Sequence, residues 1–437
     1  MYIVEAQRLF TKRNIGLFLL VSLLALYFIQ IGINNYKAII VNKESFQNFE
    51  KLKVNQYLNY SQYGTYGFRL LFVPSPLSTY FVNSSTISEL TSNVDAGERL
   101  NIYHSFKGRR LFAERSGGFK DFSGIMLLLG SLLVLYFGYE SMIHKDYLRF
   151  MHGFTTYRRL FFCIVFSRIV IIIFLFLFTT AISWLFLVFN NIELTRSSYI
   201  HMAIYVGILM LVLVFYFVLG TIAGSFESRF VGFLTVVGSW FVLVFLIPGI
   251  VSTVTSRRAD VMVSNYQLEL EKLKVLMDFE KRAYEELGVV SEENIDSVRK
   301  QMESYMKHEF KEIQAFEKKL EKEIKRNIHL FQTLSSLFPS TFYLSASDEI
   351  SSKGYKSFID FFSYILELKE KFIRYYINKR YYSNYSKVES FIQDDQNLFY
   401  AKSRVPSGFL RGLLLNLCFI GGLLIISYSR FKQSLRL

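Results

Sequence analysis

The chain has 437 residues, 51% of them hydrophobic and 17% aromatic, with a formal net charge of +14. That apolarity argues against a soluble enzyme and for a polytopic membrane protein with room for folded parts outside the bilayer. Its two cysteines, Cys163 and Cys418, both lie in apolar runs, which argues against a disulfide framework or a clustered-cysteine zinc site. The six histidines show no metal-ligand spacing.

In chain order, residues 1–14 mix apolar residues with Arg8, Lys12 and Arg13 and read as an interfacial helix or a simple positive flank. The apolar run 15–33 is too long for a signal-peptide core and reads as a first transmembrane helix. Residues 34–122 are mixed, with a Val73-Pro74-Ser75-Pro76 turn and β-branched stretches, and predict a small extracytoplasmic segment that packs on whatever follows the fifth span. A second span is expected over 123–139 and a third over 160–189. The loop between them, 140–159, carries Lys145, Arg149, Arg158 and Arg159 against Glu140 and Asp146, an excess that keeps a short loop in the cytoplasm.

A fourth span over 200–223 and a fifth over 230–251, ending near Pro248-Gly249, are joined by the short link 224–229 containing Glu227. Residues 252–406 then form an extracytoplasmic domain. Val263, Tyr266, Leu270, Leu273, Met277, Tyr284 and Leu287 draw one helical stripe; Gly288 stops it and Ser291 caps a second helix through Phe331. The pair predicts an antiparallel hairpin. Leu337-Phe338-Pro339 breaks the pattern, and a further helix is expected over 355–382. The last span covers 407–428, and 429–437 is a basic cytoplasmic tail. On this layout the cytoplasmic segments hold 11 Lys/Arg against 4 Asp/Glu, whereas Val251 to Pro406 holds 25 against 24. The basic charge therefore sorts to one face, which argues for membrane orientation and against nucleic acid.

Glu140, the loop after it, Gly153, the Thr156-Tyr157-Arg158 element and Arg168 inside the next helix resemble the second span, coupling loop and third span of type-2 ABC exporter permeases. In that family a turn resembling Gly-Thr-Leu stands where this chain has Asp146-Tyr147-Leu148, and Arg168 takes the place of a lysine. Thr341 to Phe372 resembles the subfamily with enlarged extracytoplasmic loops described as multicopper-enzyme-maturation permeases. The resemblance implies an elbow helix at the N-terminus. It implies ATPase coupling through Glu140, Lys145, Tyr147, Arg149, Gly153, Tyr157, Arg158 and Glu227. The implied partners are separate ABC ATPase subunits carrying ATP and Mg, together with a second permease copy or sister permease. It also implies a bacterial cytoplasmic (inner) membrane location with both termini in the cytoplasm.

No phosphate-binding Gly-rich loop, zinc-protease helix or nucleophile elbow occurs in the sequence, so no cofactor and no enzymatic activity of its own are expected. Arg168 is either an intramembrane functional charge or a side chain that snorkels to the headgroups. Gly421-Gly422 and Gly412 offer close helix packing in the last span. The expected function is a permease subunit that couples another subunit's ATP hydrolysis to export. The alternative is a membrane-anchored mechanotransmission or scaffold protein whose hairpin binds an extracytoplasmic protein partner without moving a substrate.

Overall fold

The computed structural model describes residues 7–81, 91–96, 121–262, 295–383, 387–392, 396–406 and 408–436, with a few helical positions between 270 and 285. Among them are six helices long and apolar enough to cross a membrane, which makes the chain a polytopic helical membrane protein. They are α1 (Lys12–Asn55), α3 (Phe122–Ile143), α5 (Tyr157–Phe189), α6 (Arg196–Gly224), α7 (Arg229–Thr255) and α11 (Phe409–Leu435). The remaining elements are α2 (Tyr60–Tyr66), α4 (Lys145–His152), α8 (Ile295–Ser335), α9 (Pro339–Ile350), α10 (Tyr355–Ser383) and strands β1 (Phe68–Val73), β2 (Thr91–Val94) and β3 (Leu398–Tyr400). The stripe at 263–287, the turn at Gly288 and the cap at Ser291 lie outside the described residues, apart from those few helical positions.

Five of the six long helices start on a side-chain oxygen that accepts from the backbone three residues on: Thr11, Asp121, Thr156, Thr195 and Ser228. Such caps satisfy amides that a helix leaves unpaired at its first turn. The apolar run of α1 ends near Ile33, yet the helix continues to Asn55 because no glycine or proline interrupts residues 34–55. Its 44 residues give a rod of about 66 Å. The fifth long helix also passes its expected end at Pro248-Gly249 and runs on to Met262. A π turn over Val242–Leu246 sends the Ile247 amide to the Val242 carbonyl. Pro248 has no N–H, so the Leu243 carbonyl is left over, and Ser340 Oγ donates to it at 2.5 Å. Proline is tolerated because a neighbouring hydroxyl replaces the missing donor.

The tightest helix pair is α3 with α6. A Cβ on Gly138 would lie 2.2 Å from the Phe217 carbonyl oxygen, one on Gly220 2.1 Å from that of Leu135, and one on Gly224 2.4 Å from that of Tyr139. The two backbones touch. Gly232 brings α7 against the same place, with the Ala223 carbonyl oxygen 2.6 Å from its would-be Cβ. The glycines expected to pack in the last helix behave differently: Gly421 and Gly422 face open space, and Gly412 admits the Phe342 ring.

Beyond the bundle lies a second core. β1 is the centre of a three-stranded sheet of order β2-β1-β3, antiparallel to β2 with Phe68 opposite Val94 and parallel to β3 with Leu71 opposite Leu398. Gly67, at φ 54°, makes the turn into β1. The sheet joins chain segments more than 300 residues apart and packs its Phe68 and Phe72 rings edge-on against Phe372 and Phe361 of α10. Glu50 of α1, only 2% exposed, takes the Arg69 amide at 2.9 Å and the Arg69 Nε at 2.8 Å, which fastens the sheet to the far end of the rod.

The α3–α6 contact yields a contrast. Gly220→Val forces a side chain into backbone and is expected to lower stability by about 1–3 kcal/mol or to prevent folding. Gly421→Ala and Gly422→Ala are expected to change it by less than about 0.5 kcal/mol. Thermal unfolding of the purified variants in one detergent checks both.

Candidate functional site

The basic end of the bundle is built on the last turn of α3. Glu140 there is mostly buried, and its two oxygens accept from Arg13 at 3.0 Å and Asn14 Nδ2 at 2.8 Å. Arg13 also donates to the Tyr136 hydroxyl. One carboxylate thus ties the start of α1 to the end of α3. Next to it, the Tyr139 hydroxyl donates to the Arg229 carbonyl at 2.9 Å, so the start of α7 is held to the same turn.

At His144 the backbone leaves the helical region, with φ −87° and ψ 72°, and the chain turns into α4. This eight-residue helix has two unlike faces. Leu148 is 1% exposed and packs into the bundle core, with Tyr147 and Met151 beside it. The Arg8 guanidinium lies 4.0 Å from the Tyr147 ring centroid. On the other face, Phe150 is 65% exposed and, beyond the end of the helix, Phe154 is 76% exposed; their rings meet edge to face at 5.2 Å. Asp146 opens α4 while Arg149 and His152 close it, the arrangement a helix dipole favours. Gly153 caps the helix with helical backbone, and His152 stacks on Tyr157 at 3.6 Å.

The following helix breaks the dipole rule. Arg158 and Arg159 are exposed in the first turn of α5, which holds no acidic residue. Lys12 and Arg13 open α1, and Arg229 opens α7, again with no acid in the first turn. Three helix starts with like charge on their positive ends therefore meet near one face, an arrangement that favours an anionic surface from outside. Burial, then the Arg8 guanidinium, pushes His144 below its ordinary value.

The residues singled out from sequence fall together in part. Glu140, Lys145, Tyr147, Arg149, Gly153, Tyr157 and Arg158 follow one another around α4, and exposed Glu227 sits in the α6–α7 link, whose flanks Gly224 and Arg229 meet the last turns of α3. Arg430 of α11 lies 5.7 Å from the ring of Phe226 in that link. Arg168 does not snorkel. It is 1% exposed and donates to the Phe137 carbonyl at 3.2 Å, inside the bundle, because its position on α5 faces α3 rather than lipid. Sequence reading missed Asn14 and Arg13 as partners of Glu140, and the exposed Phe150–Phe154 pair. A polar Asn at the edge of an apolar run was the available signal for the first; nothing in the spacing marked the second.

Glu140→Ala leaves Arg13 and Asn14 facing an empty acceptor site and is expected to cost about 1–3 kcal/mol, whereas Glu140→Gln keeps one acceptor and costs less. Thermal unfolding ranks the two, and equal losses would contradict the acceptor role. In comparisons with known proteins, no family model, no curated protein and no solved structure matches this chain.

Proposed function

We propose that the chain is the membrane permease subunit of an ABC transporter of the type-2 exporter class, driven by separate ATPase subunits that bring ATP and Mg. The reading is supported above all by α4: an amphipathic helix seated by Leu148 that leaves Phe150 and Phe154 exposed among Arg149, Arg158 and Arg159. An exposed aromatic pair ringed by arginine suits a protein surface with an apolar groove and an acidic rim. In this reading the basic end faces the cytoplasm, with both termini there. The sheet unit, α8 and α10 lie on the opposite side, and a second copy or sister permease completes the membrane unit. ATPase movement reaches the bundle through α4 and the α6–α7 link at Glu227.

A second reading rests on the 44-residue α1 and the 41-residue α8. Rods of about 60 Å suit mechanical work on an extracytoplasmic protein partner, with the same ATPase and no substrate flux.

Co-purification of the tagged chain with its ATPase tests the shared part. Phe150→Ala with Phe154→Ala is expected to weaken recovery of the ATPase by about tenfold or more, the scale of one interface hot spot, without shifting the unfolding temperature. Arg149→Glu with Arg158→Glu is expected to do the same and to reduce the salt dependence of binding. ATP-dependent accumulation of a substrate in vesicles supports export; ATP turnover without flux while a partner stays bound supports the mechanical reading. Labelling that places α8 and α4 on one side of the membrane would overturn both.

A further inference from the structure

α9 ends at a junction with the last turns of α8, the first turn of α10 and the stretch 401–406. Glu349 lies inside it, 1% exposed. Its Oε1 accepts from Gln332 Nε2 at 3.2 Å and from the Lys356 amide at 3.2 Å, and its backbone carbonyl accepts from the Arg404 amide at 3.2 Å. Its Oε2 has no hydrogen-bond partner. Two further buried oxygens without partners belong to the same elements: Ser335 Oγ, three residues beyond Gln332 on α8, and Ser357 Oγ, next in the chain to Lys356. The backbone is bent around this carboxyl. Ser352 holds a left-handed φ of 61°, and a Cβ on Gly354 would come 2.5 Å from Glu349 Cδ. A strained turn wrapped around a half-satisfied acid is an arrangement that the surrounding fold has to enforce.

We propose that Glu349 is a protonation latch: the neutral carboxylic acid closes the junction of α8, α9, α10 and the stretch leading into α11, and loss of its proton opens it. Both donors lie on Oε1 and none reaches Oε2, so the neutral acid leaves only an uncharged oxygen there, whereas the ionised carboxylate would bury a charge with one of its two oxygens unsolvated. The cations that act on Glu349 are Lys356 of α10 and Arg404, and Arg404 already holds Asp360 at 2.5 Å. From α8 the neighbour is the neutral Gln332. On α9 itself Asp348 is buried, its carbonyl taking the Lys353 amide, while Lys353 Nζ reaches away to the Phe81 carbonyl at 3.0 Å. Towards the bundle, α9 meets uncharged groups: Tyr205 of α6, the Leu243 carbonyl of α7 and Phe409 of α11. Burial raises the carboxyl above its ordinary range, and the hydrogen bonds from Lys356 and Gln332 pull it back by less. A group raised in the folded state stabilises the junction below its unfolded value, and that stability is lost as pH rises through the folded one.

The test is hydrogen exchange of the full-length protein in nanodiscs across a pH series, corrected for the chemical exchange rate, and read in the segments containing the Lys353, Lys356 and Arg404 amides. In the wild type, protection in these segments is expected to fall above a midpoint by up to about tenfold per pH unit, the limit for one proton, while the α3–α6 segments do not change. Glu349→Gln, which cannot ionise, is expected to give flat protection. Gln332→Leu removes a donor to the ionised form and is expected to move the midpoint to higher pH, an outcome that decides the matter if Glu349→Gln does not fold. Flat wild-type protection, a fall that persists in Glu349→Gln, or a midpoint unmoved or lowered in Gln332→Leu would each overturn the latch.

Discussion

The bundle depends on the contact of α3 and α6 at backbone distance. In a bilayer, apolar side chains gain little by leaving lipid for one another, so helix pairing relies on close van der Waals contact and on polar bonds. Glycine at 138, 220 and 224 removes the side chains that would hold the axes apart. Gly232 then lets α7 join at the point where α3 ends. The consequences collect at one place. With the last turns of α3 and α6 pressed together, Tyr139 reaches the first turn of α7, and Glu140 is left pointing at the start of α1. The basic end is arranged by small residues that carry no charge at all.

At a different level of the bundle, a second constraint works through missing backbone donors. The π turn of α7 and the lack of an N–H on Pro248 leave the Leu243 carbonyl to Ser340, the second residue of α9. The π turn of α3 over Met126–Gly130 likewise leaves the Leu127 carbonyl to the Ser131 hydroxyl, and the neighbouring Leu128 carbonyl accepts from the Trp240 indole of α7 at 3.1 Å. Tyr343 carries the pattern on, sharing a 2.7 Å hydrogen bond with Tyr205 and donating to the Ser123 carbonyl at 3.1 Å. α9 therefore belongs to the bundle by its hydroxyl groups and to the sheet unit by its last turn. Irregular backbone of this kind is tolerated in membranes where neighbouring protein supplies the partner, and here one short helix supplies several.

Much of this was legible in the residues, for identifiable reasons. Six apolar runs announce themselves because hydrocarbon demands length and continuity, and the breaks at Leu337-Phe338-Pro339 and before Tyr355 follow from proline and glycine. The extent of α1 was hidden, since hydropathy ends at Ile33 while helical geometry continues through residues with no breaker. Pro248 misled for the opposite reason: its missing donor is supplied from Ser340, 92 residues away in sequence, which no local rule can see. Gly220 and Gly224 stood at the four-residue spacing that close packing favours, but Gly421-Gly422 drew the eye and proved to face open space. At the basic end the charges could be read directly. The partners of Glu140 could not, because Arg13 and Asn14 are more than 120 residues distant and only the packing of α1 on α3 brings them in.

Carboxylates grip α1 at both ends. Near its start Arg13 and Asn14 are held by Glu140 of α3; near its end Glu50, its own residue, holds Arg69 of β1. Between those grips the helix runs unbroken, with no proline and no π turn. A tilt of about 5° over about 60 Å displaces the far end by about 5 Å, roughly the spacing of two strands. The sheet cannot absorb such a shift alone, because β3 ties β1 to the stretch that leads into α11, and Arg404 in that stretch is bound to Glu349 of α9. A continuous path of contacts thus runs from Glu140 at the basic end, along α1 and through the three-stranded sheet, to the junction at which α8, α9 and α10 meet. Two carboxyl groups near opposite ends of the bundle are linked by one path of contacts although nothing in the sequence brings them near.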